Sequence, residues 1–129
     1  MLDTNICIYV IKRRPIEVLS TFNEHAGQLS ISSITLAELI HGAEKSEFIE
    51  KNLQRVEDFV SRLEVLEYGE KAAAHYGDIR AVLEKKGQII GVNDLHIAGH
   101  SRSEGLILVT NNLKEFRRVD ALRKENWIV

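Results

Sequence analysis

The chain has little with which to cross-link itself, span a membrane or coat a polyanion. Cys7 is the only cysteine among 129 residues, which excludes an intrachain disulfide and a thiolate cage for zinc. It sits within Asn5-Ile6-Cys7-Ile8-Tyr9-Val10, where a buried, structural thiol is expected rather than a nucleophile. No apolar run approaches the roughly 20 residues of a membrane span. Met1 to Asn5 lack the basic start and small-residue cleavage site of a secretory signal, so a cytoplasmic setting is expected. The formal net charge is -2, which argues against nucleic-acid binding by bulk electrostatics. Local basic patches remain open, at Lys12-Arg13-Arg14, Lys85-Lys86, Arg117-Arg118 and Arg123-Lys124. There is no Walker-type glycine loop, since Gly87 and Gly91 follow a helical pattern instead of a strand, and no G-x-S-x-G elbow.

What is present is an ordinary globular balance, 44% hydrophobic and 28% charged, in one domain over residues 1–129 that is long enough for a real core. Met1-Leu2 is a stub of strand before a helix whose first turn contains Asp3-Thr4-Asn5. Pro15 opens a second helical piece reaching about Glu24. Gln28 to Ser32 reads as a brief strand, and a helix follows with Leu36, Leu39, Ile40 and Ala43 as its apolar stripe. Leu53, Val56, Val60 and Leu63 keep a helical period up to a third strand at Glu64 to Glu67. Lys71 to Lys86 is amphipathic, with Ala72, Tyr76, Ile79 and Leu83 on one face and Gly87 at the position a C-terminal cap prefers. A connector leads to a short helix beginning near Asp94 and stopped near Gly105, then to an apolar strand, Leu106 to Val109. A last short helix over Asn112 to Arg118 and an edge strand over Asn126 to Val129 complete the pattern.

Strands alternating with helices predict a three-layer α/β/α sandwich with a mostly parallel sheet of four to five strands, because parallel neighbours need crossover helices. That topology has a chemical consequence. Asp3 follows the first strand, Glu38 lies early in the helix after the second, and Asn112 follows the Leu106 to Val109 strand. Asp94 starts a helix that runs antiparallel to that strand, so it too reaches the carboxyl edge of the sheet, where open α/β sheets place their sites. Taken singly, each residue reads more readily as a helix cap, and Thr35 with Glu38 fits a capping box. Jointly, several carboxylates on one rim repel one another unless protons or a cation offset them. A hard divalent ion, Mg²⁺ or Mn²⁺, is the natural partner of such oxygen donors and supports in-line phosphodiester displacement.

His96 and His100 are spaced i, i+4, but Ile97-Ala98-Gly99 lies between them, without the glutamate of H-E-x-x-H. They are expected to be structural. Tyr76 and Trp127 fall on apolar periods and are expected in the core or an interface.

Taken together, four stretches resemble the ordered signature of PIN-domain ribonucleases, and in particular of the VapC toxins of type II toxin-antitoxin pairs. They are Asp3-Thr4-Asn5, Ser33 to Leu39 with Gly42, Ile90 to Ala98, and Leu108 to Asn112 through Phe116. The resemblance spans nearly the whole chain. It implies an Mg²⁺- or Mn²⁺-dependent endoribonuclease acting on structured RNA, transfer RNA first, and held inactive by a VapB-type antitoxin. It implies a homodimer assembled further with antitoxin, DNA contacted only through the antitoxin, and no membrane. Asp3, Glu38 and Asp94 match the acidic metal-site positions, catalytic and ligating. Thr4, Asn5 and Thr110 match as polar support, and Asn112 takes a fourth position that is often acidic in such chains. Resembling chains carry a longer first strand, so the stub before Asp3 is expected to be barely long enough to register and yet central in the sheet. A structure-specific DNA nuclease of the PIN group, a phosphoacceptor module and a non-catalytic binding module are the alternatives.

Overall fold

The computed structural model describes residues 1–128. In chain order these form α1 (Thr4–Lys12), α2 (Ile16–Glu24), β1 (Ser30–Ser32), α3 (Ser33–Glu44), α4 (Ile49–Val60) and β2 (Glu64–Leu66), then α5 (Glu70–Lys86), α6 (Val92–Ser103), β3 (Leu108–Val109), α7 (Leu113–Phe116) and β4 (Lys124–Glu125). β1 pairs in parallel with β2, and β3 in parallel with β4. Leu2 joins the two pairs. It forms a parallel bridge with Val109, and its N–H donates to the Ser30 carbonyl at 2.9 Å. The Asp3 N–H donates to the Val109 carbonyl at 2.9 Å, and the Val109 N–H to that of Met1 at 2.8 Å. Across the sheet the order is therefore β2, β1, the Leu2 stub, β3, β4. The first strand is as short as expected, and it lies in the middle.

Side-chain alternation along these strands separates two cores. Leu2, Ile31, Val65 and Val109 pack on one face with residues of α1 to α4, while Met1, Leu66 and Leu108 pack on the other with α5, α6 and α7. Each adjacent pair, Met1/Leu2, Val65/Leu66 and Leu108/Val109, sends one residue to each face, as the two-residue period of a strand requires. This is the expected α/β/α sandwich. Cys7 is fully buried in the first core.

Helix ends follow local chemistry. Asp3 caps α1, accepting from the Ile6 N–H at 2.9 Å. Ser32 caps α3 by accepting from the Ile34 N–H at 3.1 Å. The Thr35–Glu38 capping box is not formed, because Thr35 already lies inside the helix, fully buried, and Glu38 is in its second turn. Ile40 is 41% exposed and leaves the expected apolar stripe, which runs through Thr35, Leu39 and Ala43. Gly87 closes α5 with φ of 65°, a left-handed conformation that glycine takes without steric cost.

The strand over Leu106 to Val109 is reduced to Leu108–Val109. The edge strand expected over Asn126 to Val129 falls instead at Lys124–Glu125; Trp127 leaves the sheet and is buried in the first core, 5.2 Å from the His25 ring, and Val129 lies outside the described residues. Strand length here is set by where backbone bonds find partners. The Leu108 and Thr110 N–H groups donate to the Arg123 and Glu125 carbonyls, which places the pairing before the apolar tail. No helix among the described residues is long and apolar enough to cross a membrane.

α5 and α6 pack closely at Gly99. A Cβ on Gly99 would stand 2.9 Å from the Tyr76 backbone nitrogen and 3.2 Å from the Ala72 carbonyl oxygen, so glycine is what lets these backbones approach. Gly99→Ala is expected to destabilise the fold by about 1–3 kcal/mol through overpacking, read as a lower urea midpoint; Gly42→Ala, where an added Cβ meets nothing within 4 Å, is the control.

Candidate active site

The parallel sheet delivers its polar groups to one edge. Asp3 follows Leu2 directly and is buried, because the same carboxylate caps α1. Burial raises its pKa; the Thr110 hydroxyl and the Ile6 amide partly offset this, and the charge of Glu38 adds to the rise. Glu38 comes from α3 and is half-buried. Its Oε1 accepts from the Thr4 hydroxyl at 2.6 Å, and Thr4 Oγ1 also stands 3.3 Å from Thr35 Oγ1. Thr4 therefore ties the start of α1 to Glu38.

Asp94 sits in the first turn of α6, whose N-cap is Gly91. It is not the cap itself, so its carboxylate is free for the rim. Its pKa is pushed up to about 7, first by burial, then by a hydrogen bond and charge interaction with Glu115, then by the charges of Asp3 and Glu38. All three acids expected from the sequence thus feel one another.

Glu115 is the residue that sequence reasoning missed. Asn112, expected at the fourth position, caps α7 without bonding its own backbone; its Nδ2 donates to Glu115 Oε2 at 2.8 Å, while its N–H donates to Thr110 Oγ1 at 3.0 Å. The fourth position therefore does carry an acid, three residues later, and Asn112 orients it. The signal was the spacing Asn112-x-x-Glu115, which is also the spacing of an N-cap and its N3 glutamate. Thr110 is fully buried at the end of β3. Asn5 is exposed; its backbone N–H, not its side chain, acts on Asp3.

The two histidines are held by polar partners away from this set. His100 Nδ1 is 2.8 Å from Ser32 Oγ, and His96 Nδ1 is 2.7 Å from the Tyr68 hydroxyl. The His96 ring stacks on Tyr76 with centroids 4.1 Å apart. Both imidazoles are structural, as expected.

Four carboxylates with interacting charges, none of them in an ion pair among the described residues, form an all-oxygen donor set suited to a hard divalent cation. No three Asp, Glu, His or Cys side chains among the described residues are gathered closely enough to ligate one ion as they stand. Asp94 lies close enough to Glu115 for that neighbour to raise its pKa, and ligation of one ion by several of these groups requires the side chains to turn inward.

Such a rim at the carboxyl edge of a parallel sheet is where open α/β proteins place their sites. The PIN-domain model matches residues 1–122. Ribonuclease VapC2 of Haemophilus influenzae is 65% identical over 128 residues, covering 99% of this chain and 97% of the relative. The tRNA(fMet)-specific endonuclease VapC of Shigella flexneri is 56% identical over 127 residues, 98% of this chain and 96% of that protein. The crystal structure of DNA-bound VapBC from Salmonella typhimurium superposes with a TM-score of 0.94 at 54% identity, covering 98% of this chain and 96% of that one. The chain belongs to the PIN-domain family, in its VapC branch.

A carboxyl group whose pKa is raised on folding binds its proton more tightly in the native state, so native stability falls as pH rises between the ordinary value of 3.8 and about 7. Asp94→Asn removes that loss. In chelator-containing buffer the variant should melt close to wild type near pH ~4 and above it near pH ~8; a difference that is flat with pH contradicts the assignment.

Proposed function

We propose that this chain is the toxin of a type II toxin-antitoxin pair, an Mg²⁺- or Mn²⁺-dependent endoribonuclease restrained by a VapB-type antitoxin in the cytoplasm. The chain works as one PIN domain, paired with a second copy and assembled further with antitoxin, which alone contacts DNA. The acidic rim carries this reading: carboxylates at the α1 cap and on α3, α6 and α7 lie near enough for their charges to interact, in a chain whose nearly full-length relatives are ribonucleases. Two relatives are named for tRNA(fMet), which makes transfer RNA the substrate class to test first.

Asp3, Glu38, Asp94 and Glu115 would hold the cation. When bound it lowers the pKa of water and neutralises charge on the phosphorus oxygens. The protein's own residues prepare the site for that. Thr4 fixes the Glu38 carboxylate, Asn112 fixes Glu115, and the Ile6 amide fixes Asp3, so few rotamers remain to be ordered when substrate arrives. Burial and the neighbouring acids push the Asp94 carboxyl up to about 7. Cation affinity therefore rises as pH rises toward about 7, because the proton and the ion compete.

Purified protein freed of antitoxin should cut transfer RNA when Mg²⁺ or Mn²⁺ is added and should leave flap DNA intact. Asp3→Asn, Glu38→Gln, Asp94→Asn and Glu115→Gln should each lower cleavage on the order of 10²-fold or more, as loss of a charge-stabilising group does. Asn112→Ala should cost about 10-fold or somewhat more, the scale of a residue that orients a ligand. Undiminished cutting by Asp94→Asn would sink the site assignment.

A further inference from the structure

A concentration of cationic side chains lies at the far end of α1. A cavity of about 480 Å³ there is lined by Lys12, Arg13, Arg14, Arg55 and Arg62, with Asp58 as its only acid. All five cationic side chains are exposed, and none forms an ion pair among the described residues. Asp58 forms no ion pair with any of them among the described residues, its Oδ1 accepts from Gln54 at 3.1 Å, and one carboxylate leaves the lining strongly positive. In a chain with a formal net charge of -2, five unpaired cations around one concavity are a local concentration of positive potential.

The cavity adjoins a second one that reaches the acidic rim. This concavity, about 350 Å³, lies along α1, α3 and α4, and Glu38, Lys12 and Arg55 are among its lining residues. Lys12 and Arg55 therefore belong to both concavities. α1 runs the same course, with Asp3 at its N-terminus and Lys12 in its last turn; nine residues at 1.5 Å each set the two ends about 14 Å apart.

We infer that the pocket of Lys12, Arg13, Arg14, Arg55 and Arg62 binds backbone phosphates of the RNA substrate, away from the bond that is cut. Resting on the ribonuclease reading above, this gives the substrate a cationic anchor joined to the acidic centre by the groove along α1. RNA is favoured over an acidic polypeptide by that continuity: a strand reaching Glu38 along the groove carries a phosphate on every nucleotide into the pocket. Guanidinium groups, four of the five cations, also match phosphate bidentately. Phosphate contacts of this kind strengthen and orient binding without reading sequence.

Binding of transfer RNA is measured in chelator across a salt series for wild type, Arg55→Gln/Arg62→Gln and a control of equal charge loss, Lys85→Gln/Lys86→Gln, which lies outside the pocket. Cleavage by wild type is assayed separately with Mg²⁺. The pocket variant should bind roughly 10-fold more weakly near 0.1 M salt, with a slope of log affinity against log salt shallower by about 0.7 for each phosphate left without its cation; the control should move little. All three proteins should share one melting temperature, since the substituted side chains are exposed. Three results overturn the inference: unchanged affinity and slope in the pocket variant; an equal loss in the control; or weakened binding of a polyglutamate peptide with RNA binding intact, which assigns the pocket to an acidic polypeptide. If wild type cuts no RNA, the ribonuclease reading fails, whatever the binding series gives.

Discussion

Three backbone hydrogen bonds around Leu2 hold this fold together. Its N–H reaches Ser30 on one side, while on the other the Val109 N–H reaches Met1 and the Asp3 N–H reaches Val109. Without them β1–β2 and β3–β4 are two separate parallel pairs, each too small to be stable by itself. The stub is buried on both faces, which is why an apolar pair, Met1 and Leu2, occupies it. The same bonds fix where the strand stops, so the next residue, Asp3, is delivered at the carboxyl edge with its backbone already engaged.

The acidic centre is then a consequence of topology acting against electrostatics. Parallel strands with crossover helices bring the starts of α1, α3 and α7 to one edge, and α6 begins there because it runs back across the sheet. Partial burial of Asp3 and Asp94 among neighbouring acids raises the pKa of both carboxyls. Polar groups of the same elements offset part of the cost. The Ile6 amide, the Thr4 hydroxyl and the Asn112 side-chain amide each donate to one carboxylate. The site is built from carboxylates that hydrogen-bond donors only partly hold in check.

Much of this was legible in the sequence, and the parts that were not have physical reasons. The order of helices and strands, the central stub, and the positions of Asp3, Glu38 and Asp94 followed from apolar period and chain topology, since crossovers leave few alternatives. The exact strand ends did not, because pairing is decided by partners far along the chain: Leu108 and Thr110 bond to Arg123 and Glu125, and no local pattern marks Lys124–Glu125 as a strand while Trp127-Ile128 looks like one. Thr35 and Glu38 carry the spacing of a capping box but form none, because Ser32 already caps α3 and the partner of Glu38 is Thr4, 34 residues away. Glu115 was hidden by the same ambiguity in reverse. Its spacing from Asn112 suits a cap, and only the approach of α7 to α6 turns it into a partner for Asp94.

Helix α1 connects these themes. Its N-terminus is capped by a carboxylate of the site, and its C-terminus carries Lys12 followed by Arg13 in the left-handed conformation. Acid at the positive end and base at the negative end of a helix each favour the helix itself. In this molecule the same arrangement separates an acidic rim from a cationic pocket along one helix. A net charge of -2 therefore describes two opposed local fields, and it is the opposition that suits a polyanion cut at a metal centre: phosphates are repelled by bare carboxylates unless a cation is bound, and attracted by the arginines at all times. If the pocket holds substrate as proposed, RNA bound there before the rim takes up metal would be positioned without being cut, and binding would be separable from chemistry along α1.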